Sequence, residues 1–285
     1  MRVWFLKETK SICTSCATGC NTIIGSREDL IYRQTPRENV AVNSVWMCDY
    51  GRLNFGDLTS SERLLEPEVF SGEKMQAADW KTVISHTALQ LRHFTGRDIA
   101  IVASGRMTNE ELWLTARLAQ HLNVSLIDIV PRRDEGDDIL LSQDRNPNSN
   151  GAKLILGLQS KPGANLEVIA SDVAEGRIKS LVVLGEDPTE FGIPVEKLKK
   201  LPSFIVINML RNSSTAHATA ILPAAAYAEK RGSMINGRGR LQRLNYAVRP
   251  PGQRRAPWLP GGADRQFCRW TRLPVAPQSG FRNAR

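Results

Sequence analysis

The spacing of four cysteines near the N-terminus constrains the fold of this chain more than any other feature. Of the five cysteines in 285 residues, Cys13, Cys16, Cys20 and Cys48 are arranged as C-x2-C-x3-C-x27-C. The first three can converge from a single loop, and the fourth can return from a later segment to complete a site of four thiolates. This spacing predicts a small N-terminal domain folded around a metal centre, with the four cysteines as ligands of a 4Fe-4S cluster.

Other uses of the same cysteines remain open on the spacing alone. Zinc also binds four thiolates, but zinc sites commonly use two C-x2-C pairs, so the three-residue gap and the distant Cys48 fit a cluster better. Disulfide bonds are disfavoured because the N-terminus is interrupted by charges and has no continuous apolar segment that resembles a signal peptide. Cys268 lies far from the other four, and we expect it to be a free thiol without a function.

The remainder of the chain shows the alternation of helices and apolar strands that is typical of an α/β fold. The pattern predicts helices at 80–93, 108–122, 165–175 and 195–201, and strands at 98–104, 124–129, 180–184 and 204–208. Strands of near-continuous apolar character separated by helices predict a parallel sheet that is covered on both faces. Residues 131–151 are rich in Asp, Arg, Asn and Pro and predict a long loop.

These patterns divide the chain into three predicted parts. Residues 1–56 form a 4Fe-4S domain, residues 57–250 a Rossmann-like α/β domain that begins with a polar link, and residues 251–285 a basic, disordered tail. The charge supports the last boundary, since residues 249–285 contribute +7 to a net charge of +9. No recognisable nucleic-acid-binding module accompanies that charge, so nucleic acid is not an expected partner.

The sequence contains no apolar stretch of the roughly 18 to 20 residues that a membrane span requires. We therefore expect no direct insertion into a membrane and a cytoplasmic location.

Several segments of this chain are familiar: Ser11 to Asn21, Arg33 to Val42, Val45 to Arg52, Ala103 to Glu111, Asp144 to Gly151, Leu184 to Pro188 and Ala218 to Arg243. They resemble the 4Fe-4S and pterin region of molybdopterin oxidoreductases, and most closely the version found in the G subunit of bacterial NADH-quinone oxidoreductase, respiratory complex I. The resemblance covers about residues 2–250.

This resemblance implies an electron-transfer subunit without a catalytic centre of its own. Its 4Fe-4S cluster would be bound by Cys13, Cys16, Cys20 and Cys48, and it would work beside a flavin subunit and other iron-sulfur subunits in the peripheral arm of complex I. Such a subunit is held at the inner membrane by its partners. The chain would be a truncated or split form of that subunit, with a tail after about residue 252 that no longer follows the family.

Some residues depart from the pattern of the pterin enzymes. Those enzymes usually carry a Lys two residues after the fourth cysteine, whereas Tyr50 occupies that position here. Residues 100–160 contain no Ser or Cys in a convincing metal-ligand context, so bound molybdopterin is not expected. A fragment of a molybdopterin-dependent oxidoreductase and a non-catalytic scaffold remain the alternatives, with 185–188 and 236–239 as relics of a pterin scaffold or as ordinary turns.

Arg52 follows the last ligand by four residues. It could place a positive charge near the cluster and raise the reduction potential, or it could be a solvated surface residue or one half of an ion pair. The sequence does not distinguish these roles.

Overall fold

The computed structural model describes residues 2–72, 74–137 and 139–252. The predicted tail at 251–285 lies almost wholly outside the described residues, as does Cys268. Within the described residues no helix combines the length and the apolar character needed to cross a bilayer.

The N-terminal part is an antiparallel sheet built from β1 (Lys7–Ile12), β2 (Asn21–Arg27) and β3 (Leu30–Pro36). Ile12 pairs with Asn21, so the residues between β1 and β2 form a loop that protrudes from the end of this pair. That loop carries the first three cysteines. A short helix, α1 (Asp49–Leu53), begins directly after Cys48.

The central sheet confirms the α/β prediction. In the part of the chain that the structure describes, its seven strands have the order β5-β4-β10-β9-β8-β6-β7, and β6 to β10 run parallel. The strands are β4 (Glu68–Ser71), β5 (Lys74–Ala77), β6 (Ile99–Ser104), β7 (Leu126–Val130), β8 (Ser180–Leu184), β9 (Ser203–Asn208) and β10 (Ala220–Pro223).

Helices cover both faces of this sheet because its strands are apolar on both faces. Every residue of β6 is buried, and alternate residues enter opposite hydrophobic clusters. Ile99 and Ile101 pack with α2 and α3, whereas Ala100 and Val102 pack with α5. The helices are α2 (Trp80–Arg92), α3 (Asn109–Leu122), α4 (Ser149–Ile155), α5 (Leu166–Ala174) and α6 (Val195–Leu198).

The structure corrects three boundaries. The loop predicted at 131–151 ends earlier, because α4 begins at Ser149 and is fixed by tertiary contacts of Asn148. The polar link contains the short antiparallel strands β4 and β5 at one end of the sheet. Most of their residues are at least partly exposed and give no clear period. Helix α6 ends at Leu198 rather than Leu201, since Pro202 disfavours helical backbone at the residue before it.

A hairpin of β11 (Gly232–Ile235) and β12 (Leu241–Leu244) returns the chain to the N-terminal sheet. The Asn245 side chain donates to the backbone carbonyl of Lys10 over 2.8 Å, and the Asn245 backbone N–H donates to the Ser11 hydroxyl over 3.2 Å. The predicted domains therefore share an extensive contact, and the division at residue 56 stays a prediction.

Buried ion pairs set the start of this hairpin. Arg63 contacts Glu229 at 2.7 Å with side chains that are 3% and 2% exposed, and Lys230 contacts Glu111 at 2.8 Å. The adjacent residues Glu229 and Lys230 thus form ion pairs with Arg63 of the polar link and with Glu111 of α3. Because a buried charge that loses its partner is strongly destabilising, these contacts hold the segment before β11 in one position.

Removal of one of these charges should be costly. We expect Glu229→Gln to lower the free energy of unfolding by about 3–5 kcal/mol, because Arg63 would remain buried without a counter-charge. Urea denaturation of the purified chain measures the change. Glu196→Gln is the control, since Glu196 and Lys199 form an exposed pair at 2.8 Å. Equal losses of stability in the two variants would contradict the interpretation.

Candidate iron-sulfur site

The structure brings the four predicted cysteine ligands to one place. Cys13, Cys16 and Cys20 lie buried in the loop between β1 and β2, and partly buried Cys48 is the N-cap residue of α1. The backbone N–H of Cys13 donates to the carbonyl of Cys20 over 2.8 Å and closes the loop. Gly19 has a φ of +64°, a conformation that favours glycine at the turn before Cys20.

Close packing around Gly51 of α1 shows how near the two cysteine segments are. A Cβ atom added at Gly51 would lie 2.7 Å from the Cys13 Sγ and 3.7 Å from the Cys48 Sγ. After burial, the proximity of Cys16 also contributes to the raised pKa of the other three thiols. The thiols of the two segments therefore face one another across the small volume that a glycine leaves.

Within the described residues no three His, Cys, Asp or Glu side chains are gathered into a group that could hold a metal ion. The choice between zinc and a cluster therefore rests on the cysteine spacing, and metal analysis decides it.

Burial favours the protonated form of three of these thiols in the free chain. It raises the pKa of Cys13 to about 11 and that of Cys20 to about 12, and it also raises the pKa of Cys48. The backbone N–H of Gly51 donates to the Cys48 Sγ over 3.4 Å and acts in the opposite direction. Since only thiolates bind metal, loading of the site must release protons.

The β11–β12 hairpin supports the cysteine loop from one side. Three hydrogen bonds join the two segments: Asn236 Nδ2 to the Thr18 carbonyl at 3.1 Å, Gly237 N to the Ala17 carbonyl at 2.7 Å, and Gln242 Nε2 to the Gly19 carbonyl at 2.8 Å. Residues 236–239 form a turn, which is compatible with both interpretations that the sequence left open. Its contact with the cysteines was missed, since it joins residues more than 200 positions apart.

The segment between β7 and α4 supports the loop from another side. The Ala17 N–H donates to the Asp144 carbonyl over 2.8 Å, and the Thr18 hydroxyl donates to the Leu140 carbonyl over 2.6 Å. The adjacent Arg145 places its guanidinium over the ring of Tyr50, 4.9 Å from the ring centroid. Nothing in the local sequence distinguishes Arg145 from the other charged residues of this loop.

Arg52 is an exposed residue in an ion pair, which is one of the roles that the sequence left open. Its Nε donates to Asp49 over 2.9 Å, and its side chain is 45% exposed. Water and salt screen such a pair, so its influence on a buried cluster is weak.

The carboxyl edge of the sheet holds another polar group. Glu186 follows β8, and its buried carboxylate pairs with Arg132 at 2.5 Å. Burial raises the pKa of Glu186, while Arg132 acts to lower it. The edge lies where the order of the parallel strands reverses between β6 and β8, the usual ligand position in open α/β sheets. Within the described residues Arg132 Nε, Glu186 Oε1 and Asn146 Oδ1 have no hydrogen-bond partner.

Gly51 offers a direct test of the packing at the thiols. We expect Gly51→Ala to reduce the iron bound per chain after anaerobic reconstitution, because the added methyl group would displace the Cys13 Sγ. Gly56→Ala is the matched control, since a Cβ there meets no atom within 4 Å. Iron and sulfide analysis measures the result, and undiminished loading of Gly51→Ala would contradict the packing argument.

Two family models match the chain. The Molybdopterin oxidoreductase Fe4S4 domain matches residues 6–56, which contain the four cysteines, and Molybdopterin oxidoreductase matches residues 143–259. The first covers the N-terminal sheet and α1. The second begins in the loop that supports the cysteines and continues through the β11–β12 hairpin.

Curated relatives match a similar share of the chain. "Probable oxidoreductase YjgC" of Bacillus subtilis (strain 168) is 30% identical over 124 residues, which are 42% of this chain and 13% of that protein. A "Putative formate dehydrogenase" of Staphylococcus aureus (strain USA300) is 27% identical over 128 residues, 43% of this chain and 13% of that protein. The matched part therefore spans about an eighth of the length of these relatives.

Among solved structures, acetylene hydratase from Pelobacter acetylenicus matches 78% of this chain and 30% of its own, with 14% identity and a TM-score of 0.33. That score is too low to support an argument about function. The two family models together support the broader assignment to the molybdopterin oxidoreductase superfamily, with an Fe4S4 domain over residues 6–56.

Proposed function

We propose that Cys13, Cys16, Cys20 and Cys48 bind one 4Fe-4S cluster and that the chain transfers electrons within a larger oxidoreductase. This proposal rests on the close approach of Cys13 and Cys48 at Gly51 and on the proximity of Cys16 and Cys20 to both, all within the segment that the Fe4S4 family model matches. A bound cluster would supply one-electron transfer without covalent chemistry on a substrate. No residue of the chain needs to act as a nucleophile or a general base in this role.

The chain itself supplies the environment that such a centre requires. The cysteine loop is buried, so bulk water is kept from three of the four sulfurs. The N–H of Gly51 stabilises the Cys48 thiolate. Burial raises the pKa of Tyr227, and the charge of the nearby Cys13 raises it further. Burial and hydrogen bonds to sulfur are among the factors that set the potential of a cluster.

The finer proposal is that the larger oxidoreductase is an assembly of the complex I type. In that setting the chain would lie beside a flavin subunit and other iron-sulfur subunits and would reach the inner membrane through them. The resemblance of the cysteine and hairpin segments to the G subunit supports this proposal, as does Tyr50 at the position where pterin enzymes usually have a Lys.

A second candidate is a part of a molybdopterin-dependent oxidoreductase. The family model over residues 143–259 and the relative named as a formate dehydrogenase favour it. The unpartnered polar atoms of Arg132 and Glu186 at the sheet edge could bind a polar ligand such as a pterin nucleotide. Against it, the Arg132–Glu186 ion pair already fills part of that edge.

Metal and sulfide analysis tests the cluster. Protein purified anaerobically should contain about four iron and four sulfide per chain and show a reduced-cubane EPR signal with dithionite. Cys48→Ala should lose that signal, whereas Cys268→Ala, which changes a cysteine outside the predicted ligand set, should keep it. Zinc without sulfide would contradict the proposal and leave a structural metal module.

Purification from native cells separates the two assemblies. A tagged copy of the chain should migrate on native gels with NADH dehydrogenase activity and contain no molybdenum or tungsten, with untagged cells as the control. Stoichiometric molybdenum or tungsten would favour the pterin enzyme instead. A loaded cluster that NADH fails to reduce in the intact assembly would favour a scaffold role.

A further inference from the structure

Arg145 carries a charge whose burial the fold alone does not explain. Its side chain is 8% exposed, and within the described residues its Nε and Nη1 atoms have no hydrogen-bond partner, while Nη2 donates to the Glu135 carbonyl. A guanidinium cannot lose its charge, so its burial is unfavourable unless negative charge or aromatic contact offsets it. Apart from the contact with the ring of Tyr50, little within the described residues compensates for the burial of this charge. Asp134 is 3.5 Å away but 69% exposed, so water screens that pair.

The position of Arg145 relative to the cysteines is fixed from two sides. Its guanidinium covers the ring of Tyr50, which lies two residues after Cys48 on α1. Its backbone follows Asp144, whose carbonyl accepts the N–H of Ala17, the neighbour of Cys16. The loop that carries Arg145 therefore contacts both segments that hold the thiols.

We infer that Arg145 is the positive charge that raises the reduction potential of the cluster. This inference rests on the proposed function. A cubane held by four thiolates is anionic, and reduction adds one more negative charge. A fixed cation nearby stabilises the reduced form more than the oxidised form, and low solvent exposure preserves the interaction. The cluster would then supply the negative charge that compensates for the burial of the guanidinium.

The contact with Tyr50 stabilises the buried guanidinium of Arg145. A cation over an aromatic face is attracted by the ring, and the ring also keeps water from that side of the guanidinium. Arg145 thus differs from Arg52, which is nearer to Cys48 in sequence but exposed and paired with Asp49. Burial, rather than sequence distance, decides which charge the cluster experiences.

Redox titration of the cluster, followed by EPR, tests the inference. For Arg145→Gln we expect the midpoint potential to fall, so that at a fixed potential the ratio of reduced to oxidised cluster drops about tenfold, or about 59 mV for a one-electron couple. Arg145→Lys keeps the charge and should keep most of the potential. Arg52→Gln is the matched control and should shift it far less, because that charge is screened.

Iron and sulfide content separates this inference from the proposed function. A wild-type chain without a cluster would overturn the proposed function. A fully loaded Arg145→Gln with an unchanged potential, or equal shifts in Arg145→Gln and Arg52→Gln, would overturn the role of Arg145 alone.

If Arg145→Gln does not load, Tyr50→Leu provides the second measurement. Loss of the ring admits water to the guanidinium, so the potential should fall in the same direction but by less. An unchanged potential in a loaded Tyr50→Leu would then overturn the inference.

Discussion

The convergence of thiols from two separate segments is the constraint on which the rest of this structure depends. The cysteine loop has few hydrogen bonds of its own, chiefly Cys13 N to Cys20 O, and most of its remaining support comes from distant parts of the chain. Thr18 bonds to a residue 122 positions away, and Gly19 to one 223 positions away. The geometry of the site is therefore a product of the whole α/β fold, even though its ligands all lie in the first 48 residues.

Buried ion pairs fix the position of the hairpin that supports the cysteine loop. Glu229 and Lys230 immediately precede β11 and bind Arg63 and Glu111, so the hairpin that contacts the cysteine loop begins at a fixed place. Such pairs add little net stability compared with apolar packing, yet either one is costly to break. In this structure they fix the position of the β11–β12 hairpin. A hairpin displaced by even a small distance would lose its hydrogen bonds to Ala17, Thr18 and Gly19.

Much of the fold could be predicted from the sequence because its signals are local. The near-continuous apolar run of β6 and the capping box of Thr108 and Glu111 were sufficient to place a buried strand and the start of α3. The cysteine spacing likewise identified the four thiols that the structure brings together. The short strands β4 and β5 escaped detection because most of their residues are at least partly exposed, and α4 because its Asn-rich start resembles a turn. Arg145 could not be recognised, since its significance lies in burial and in contact with Tyr50, which no spacing along the chain encodes.

The loop between β7 and α4 joins the thiol site to the carboxyl edge of the sheet. The Arg145 N–H donates to the Arg132 carbonyl over 2.8 Å, and an isolated bridge pairs Arg133 with Asp144 in the next rung. Arg145 covers the ring of Tyr50 near the thiols, and Arg132 pairs with Glu186, which follows β8 at the carboxyl edge of the sheet. Within the described residues, the loop that supports the cysteines and the ion pair at the carboxyl edge are therefore parts of one hydrogen-bonded segment.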